Sequence, residues 1–381
     1  MNTLIITDQR VVKFETEYYT EAAFLYVLNR YKKAFGNITL FAKTGTRVTR
    51  SSVKINGVEI RESGSNADIY LGRNKKQIST IIKKYDLVVL RLPSVLGYQV
   101  AKIAKKNKIP YLTETMGCTW DQLWNHGIIG KCLAPFMFFK MKKTIRNADF
   151  ASYVTSSFLQ KRYPCKCAYL SASNVHIDAN NPIVLNNRIS KIKEMDVSSI
   201  TLMTAGGVNV RYKGFQYVIG AIPLLNKKGI KVNYLIVGNG DNSYLKKVAK
   251  RKKVVDQVTF VGGVEHEQVL SLIDTADIYV QPSLQEGLPR TVIESMSRGC
   301  PSCGAKTAGI PELLNGQCVF KRKSKRAIAN CILGMLRKET LILYSKETFE
   351  KSYEYSEPVL SKKRNKYYEM IKKHILNEGK E

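Results

Sequence analysis

The chain has 381 residues, 44% of them hydrophobic, which excludes a disordered protein and allows two domains with separate cores. Its 61 Lys and Arg against 31 Asp and Glu give a formal net charge of +30, so an acidic partner is expected: a phosphorylated ligand, an anionic membrane surface or nucleic acid. No apolar run approaches the ~18 residues of a spanning helix, and the first residues lack the apolar segment of a signal peptide; a cytoplasmic protein, peripheral on the inner face of the plasma membrane, is expected.

In the first half, apolar runs at 4–7, 38–42, 87–92, 111–113, 151–155 and 168–171 read as strands, with helix-period stretches such as 20–35 and 97–107 between them. After the fourth run comes Glu114-Thr-Met-Gly-Cys-Thr-Trp-Asp-Gln-Leu-Trp-Asn-His-Gly127, which holds both tryptophans. Aromatic faces beside polar tips suit a sugar or acceptor, so Glu114, Trp120, Trp124 and His126 are candidates, with core packing the alternative for a tryptophan. In the next stretch, 129–146, Phe138, Met141 and Ile145 make an apolar stripe after Pro135, while Lys140, Lys143 and Arg146 carry charge elsewhere around the helix. That pattern fits a helix packed on a sheet and equally one docked on an anionic membrane.

The Asn-rich stretch 178–188, interrupted by Pro182, reads as an interdomain linker. Beyond it, strands are expected at 200–205, 234–237, 258–261 and 277–280, and helices at 215–228, 243–252 and 267–274. Val359, Tyr367 and Ile371 mark a final amphipathic helix. The alternation predicts an α/β protein with two doubly wound domains, 1–180 and 181–355, followed by a helix over 356–381; such sheets bind ligands at the carboxyl ends of their strands, here in an interdomain cleft.

Cys300-Pro-Ser-Cys303 has the spacing of a redox or zinc half-site, but no second pair accompanies it and the four histidines are scattered. Both cysteines are read as buried fillers, and no metal site is expected.

The chemistry concentrates in four loops of the second half. Thr204-Ala-Gly-Gly-Val-Asn-Val-Arg-Tyr-Lys-Gly214 leaves the first strand, Val237-Gly-Asn-Gly240 the second and Phe260-Val-Gly262 the third. The fourth is Gln281-Pro-Ser-Leu-Gln-Glu-Gly-Leu-Pro-Arg-Thr-Val-Ile-Glu-Ser-Met-Ser-Arg-Gly299, with Glu286 in the loop and Glu294 expected in the first turn of a helix opening near Arg290. Free N–H groups at that helix start favour anions. An ionised carboxylate accepts hydrogen bonds from a diol, so the pair can grip a nucleotide-linked polar ligand.

The second half, about 200–315, resembles the nucleotide-sugar domain of the retaining glycosyltransferases of family 4, the group 1 glycosyltransferases. The resemblance is carried by Glu286, seven residues, Glu294, then Gly299-Cys-Pro301 and Gly309-Ile-Pro-Glu312. It implies the GT-B architecture of two tandem Rossmann-like domains, with the last helix returning to the first domain. It further implies that Glu294 holds the donor ribose and Glu286 the donor sugar. Backbone groups of Gly287, Leu288, Thr291 and Val292 would face sugar and phosphates, and Gly238, Asn239, Gly240, Val261 and Gly262 would border base and phosphates. A lysine and an arginine act on the diphosphate in that family; Lys213 matches, whereas Val208 occupies the usual arginine position and the guanidinium stands at Arg211.

Where many members carry a first-domain histidine, this chain has Met116, leaving His126 or Glu114 as substitutes. The run Tyr153-Val-Thr-Ser-Ser-Phe-Leu-Gln-Lys-Arg-Tyr-Pro164 is similar to capsule and exopolysaccharide members. The implied activity is metal-independent, retaining transfer from a UDP- or GDP-sugar to a glycan or lipid-linked glycan of a bacterial surface polysaccharide, without a cofactor. Two alternatives stand beside it: a glycoside hydrolase using Glu286 and Glu294 as acid and nucleophile, which leaves Lys213 unexplained, and a basic nucleic-acid-binding protein, for which no motif is present.

Overall fold

The computed structural model describes residues 1–45, 52–65, 68–69 and 72–378. The chain divides into two compact units, Met1–Asn174 with Ser361–Glu381, and Val175–Leu360. These boundaries differ from the expected 180/181 and 355/356 by five or six residues.

In the first unit, β1 (Asn2–Phe14), β3 (Asn37–Gly45), β5 (Glu59–Glu62), β6 (Leu87–Leu92), β7 (Tyr111–Thr115), β8 (Phe150–Tyr153) and β9 (Tyr169–Ser171) form a parallel sheet in the order β5-β3-β1-β6-β7-β8-β9. All six residues of β6 are buried, as a central strand covered on both faces requires. The alternation of the sequence did not reveal that β1 runs on to Phe14. Its far end pairs antiparallel with β2 (Glu17–Glu21), which pairs antiparallel with β4 (Ser52–Lys54). A register shift between Ile6 and Arg10 interrupts the parallel pairing of β1 with β3, which resumes at Arg10–Val12.

The last helix, Glu357–Glu378, buries Tyr367, Tyr368 and Ile371 in the apolar cluster of this unit, beside Phe35, Leu40 and Leu87. Tyr367 hydroxyl receives the Ala151 N–H at 3.0 Å and donates to the Ala168 carbonyl at 2.8 Å, fixing the helix to a strand end.

In the second unit, β10 (Ser199–Ala205), β11 (Lys231–Val237), β12 (Val258–Gly262), β13 (Ile278–Gln281), β14 (Ser302–Ala305) and β15 (Val319–Phe320) make an all-parallel sheet ordered β12-β11-β10-β13-β14-β15. Counted within the unit this is 3-2-1-4-5-6, the doubly wound order, and its direction reverses between β10 and β13. Cys300 and Cys303 lie fully buried at and in β14 as free thiols. The expected linker is instead the helix Pro182–Glu194: Asn181 caps it through the Ile183 N–H, Pro182 occupies its first turn, and Arg188 and Ile192 are buried. Asn and Pro, read as loop signals, here start a helix.

Candidate active site

The strand reversal in the second unit brings together the loops that leave β10 and β13. Gly214 has φ 82°, and a Cβ there would lie 2.2 Å from the Pro282 carbonyl oxygen; only glycine lets the two loops meet so closely. Leu284 N–H donates to the Tyr212 carbonyl at 2.7 Å, pinning the short Arg211–Lys213 turn against the following loop. The consequence is an ion pair across the reversal, with Lys213 Nζ donating to Glu286 Oε1 at 2.7 Å. Gln281 Nε2 donates to the same oxygen at 3.1 Å and to Ser283 Oγ at 2.8 Å, while Tyr279 hydroxyl donates to Gln281 Oε1 at 2.8 Å.

One of the three ammonium hydrogens of Lys213 thus points at Glu286, which orients the side chain and leaves its remaining donors for another anion. Arg211 is placed differently. Its guanidinium lies 4.5 Å from the centre of the Tyr244 ring, on the helix Ser243–Lys252, so the structure brings Lys213 but not Arg211 to Glu286.

Glu294 corrects the expectation in one respect: the helix starts at Arg290, no acid lies in its first turn, and Glu294 is its fifth residue. Helical side chains lean toward the amino terminus, so the carboxylate still covers the turn that begins at Arg290. It is 8% exposed, and Oε1 sits 3.3 Å from Nε2 of His266. His266 opens the helix His266–Thr275 just after β12. Its bond to Glu294 raises the imidazole pKa above the ordinary 6.5, against partial burial.

The glycine loops border this pair. Gly238 has φ 147°, with its would-be Cβ 1.9 Å from the Gly206 carbonyl oxygen, and its N–H donates to Gly262 at 2.8 Å. Val208 N–H donates to Asn239 at 3.0 Å, so the loops after β10, β11 and β12 are stitched together and Gly238, Asn239, Gly240, Val261 and Gly262 form one rim. Gly287 gives its carbonyl to Gly309 N–H at 2.9 Å, and Leu288 and Val292 are buried beneath, with Thr291 half-buried at the helix start. Reading spacing did not find His266, which stands 28 residues from Glu294 and carries no local pattern. Gln281 was findable, as a polar residue ending an apolar strand.

The first-unit candidates separate. Glu114 lies in β7 as a buried counterion: Arg91 Nε donates to it at 2.8 Å, Arg30 Nη2 at 3.3 Å and Asn174 Nδ2 at 2.8 Å. Although burial opposes it, the two guanidinium groups hold its carboxyl at about 2. It is therefore a poor proton acceptor at neutral pH. Met116 sulfur accepts from Arg91 Nη2 at 2.9 Å, so the residue standing where the histidine was sought completes the same cluster. Trp120 and Trp124 stack at 5.3 Å on the helix Thr119–Trp124, and His126 precedes the helix Gly127–Arg146. Among the described residues, no group of three or more His, Cys, Asp or Glu side chains is gathered to hold a metal ion.

Comparison with known proteins bears on the family and the fold. The family described as "Glycosyl transferases group 1" matches residues 199–338. Protein CapJ of Staphylococcus aureus is 29% identical over 91% of this chain and 90% of its own. The amylovoran biosynthesis glycosyltransferase AmsK of Erwinia amylovora is 34% identical over 27% of each chain. Among solved structures, Anabaena HepE in complex with UDP-glucose superposes with a TM-score of 0.68 at 14% identity, over 98% of this chain and all of that one, a likeness of fold.

Proposed function

We propose that this chain, whose residues 199–338 match the group 1 glycosyltransferases and whose fold is like that of HepE, moves a sugar with retention from a nucleoside diphosphate, UDP or GDP, to a glycan or lipid-linked glycan hydroxyl. The observation that carries the reading is the Lys213–Glu286 ion pair across the strand reversal, 2.7 Å long, with Glu294 on the next helix. Doubly wound sheets take their ligands at such a reversal.

In this reading Glu294 accepts the ribose hydroxyls and Glu286 the hydroxyls of the transferred sugar. Lys213 neutralises the diphosphate as the bond between anomeric carbon and phosphate oxygen breaks, without a metal ion. The acceptor oxygen attacks the same face of the sugar, and its proton passes to the departing phosphate oxygen. Its similarity to AmsK supports a surface polysaccharide as the product.

The test is calorimetric titration of the purified chain with UDP, GDP and their sugars, followed by NMR of the anomeric configuration of the product. Micromolar binding of one nucleotide that is lost in Glu294→Ala supports the assignment. Release of sugar from unactivated glycans, with no nucleotide binding, would overturn it.

A further inference from the structure

The helix Gly127–Arg146 turns one face inward and leaves the other without cover. Gly130, Ala134, Met141, Thr144 and Ile145 are buried, so of the two readings left open for the Phe138, Met141 and Ile145 stripe, packing within the first unit is the one that holds for Met141 and Ile145. The remaining member, Phe138, sits edge-on to Trp120 and against Tyr163. On the other side, Ile128 is 80% exposed, Ile129 77%, Phe136 57% and Phe139 66%. At about 100° per residue these four share an arc of roughly 100°, centred opposite Met141. Trp124 and Leu133 flank it, also exposed. Single exposed apolar residues are ordinary, whereas four large ones on one arc of a helix, followed on that arc by the exposed Lys143 and Arg146, are not.

The surrounding charge has one sign. No Asp or Glu occurs between Asp121 and Asp149, while Lys131, Lys140, Lys142, Lys143 and Arg146 fall within the helix. Lys140 lies 4.2 Å over the Phe136 ring and Lys131 5.7 Å over Trp124. Partial burial, together with Lys102 and Lys75 from two neighbouring helices, lowers the affinity of Lys140 for its proton, so the positive field extends beyond this helix. A second copy of the chain would bring the same cations against themselves. Among the described residues no helix is long and apolar enough to cross a membrane.

We propose that this face lies in the plane of an anionic bilayer, with Ile128, Ile129, Phe136 and Phe139 among the upper acyl chains and Lys131, Lys140 and Lys143 on lipid phosphates. The docking is independent of donor chemistry in the second unit. It would hold the first unit at the surface where a lipid-linked acceptor resides.

Co-sedimentation of the full chain with phosphatidylglycerol/phosphatidylcholine vesicles, and with phosphatidylcholine alone, tests it. The chain binds the anionic vesicles, and its tryptophan emission moves to shorter wavelength and is quenched by doxyl-labelled lipid. The double variant Phe136→Ser/Phe139→Ser loses at least about tenfold in partitioning while keeping its far-ultraviolet circular dichroism. Lys140→Gln/Lys143→Gln loses roughly fivefold for each lysine at low salt, and the difference shrinks as salt rises. Absence of vesicle binding by the wild-type chain would overturn the proposal. So would unchanged binding by both variants, or a dimer in light scattering that the phenylalanine substitutions dissociate while vesicle binding stays the same.

Discussion

Each unit carries a glutamate at or just beyond the carboxyl end of a parallel strand, paired with cations, yet the two are held differently. Glu114 in β7 has a side-chain exposure of 5% and faces two guanidinium groups and an amide. Every bond it makes is internal, so it stiffens the first unit. Glu286 has 12% exposure and a single lysine, itself 24% exposed, at a place where two loops meet. A flexible ammonium with donors to spare can exchange or share its carboxylate with a ligand more readily than two buried guanidinium groups can.

The sharpest way to break this contrast is to remove the buried acid. Glu114→Gln leaves Arg91 and Arg30 buried without a counterion and should cost about 3–5 kcal/mol, lowering Tm by roughly 10 °C in a thermal scan. Nucleotide binding by the folded fraction should be unchanged. The pH sign agrees: a carboxyl held near 2 stabilises the fold above its unfolded value of 4.5, and the contribution fades as pH falls toward 2.

Lys213→Ala should do the reverse, lowering kcat on the order of 10²–10³-fold with little change in Tm. If it melts like Glu114→Gln, the second ion pair is structural and the contrast fails. Among the acids of the second unit, Glu294→Ala should raise donor Kd with a smaller effect on turnover, and Glu286→Ala should lower kcat with a smaller effect on Kd, separable by calorimetry and steady-state kinetics.

The smallest effect belongs to His266, whose side chain is half exposed. Its raised pKa means that the pair with Glu294 contributes fully below the ordinary 6.5 and is lost as pH rises through the higher folded value. The Tm difference between wild type and His266→Ala should be at most about 2 °C at pH 5.5 and vanish by pH 8.5.

The parallel strands were legible because a buried central strand is largely apolar, and β6 carries Leu87–Leu90 and β11 Leu235–Val237 as consecutive apolar residues. The antiparallel β2 and β4 were not, since short strands that are mostly half-exposed have no such requirement. The helix Pro182–Glu194 was misread because Asn and Pro mark helix starts as well as loops, and local composition does not distinguish them. In the second unit the four loops were visible from their glycines, as close approach of backbones at Gly214 and Gly238 admits no side chain.

By itself, the sequence determined the alternating architecture, the glycine loops, Lys213 and the spacing of Glu286 and Glu294, all of them consequences of neighbours along the chain. Only the tertiary structure decided the charge partners. Glu114 is joined to Arg30 across 84 positions, Glu286 to Lys213 across 73 and Glu294 to His266 across 28. It also decided which side of Gly127–Arg146 is buried. Periodicity gives a helix its faces, but a helix with apolar residues on both needs the sheet and its neighbouring helices to choose between them.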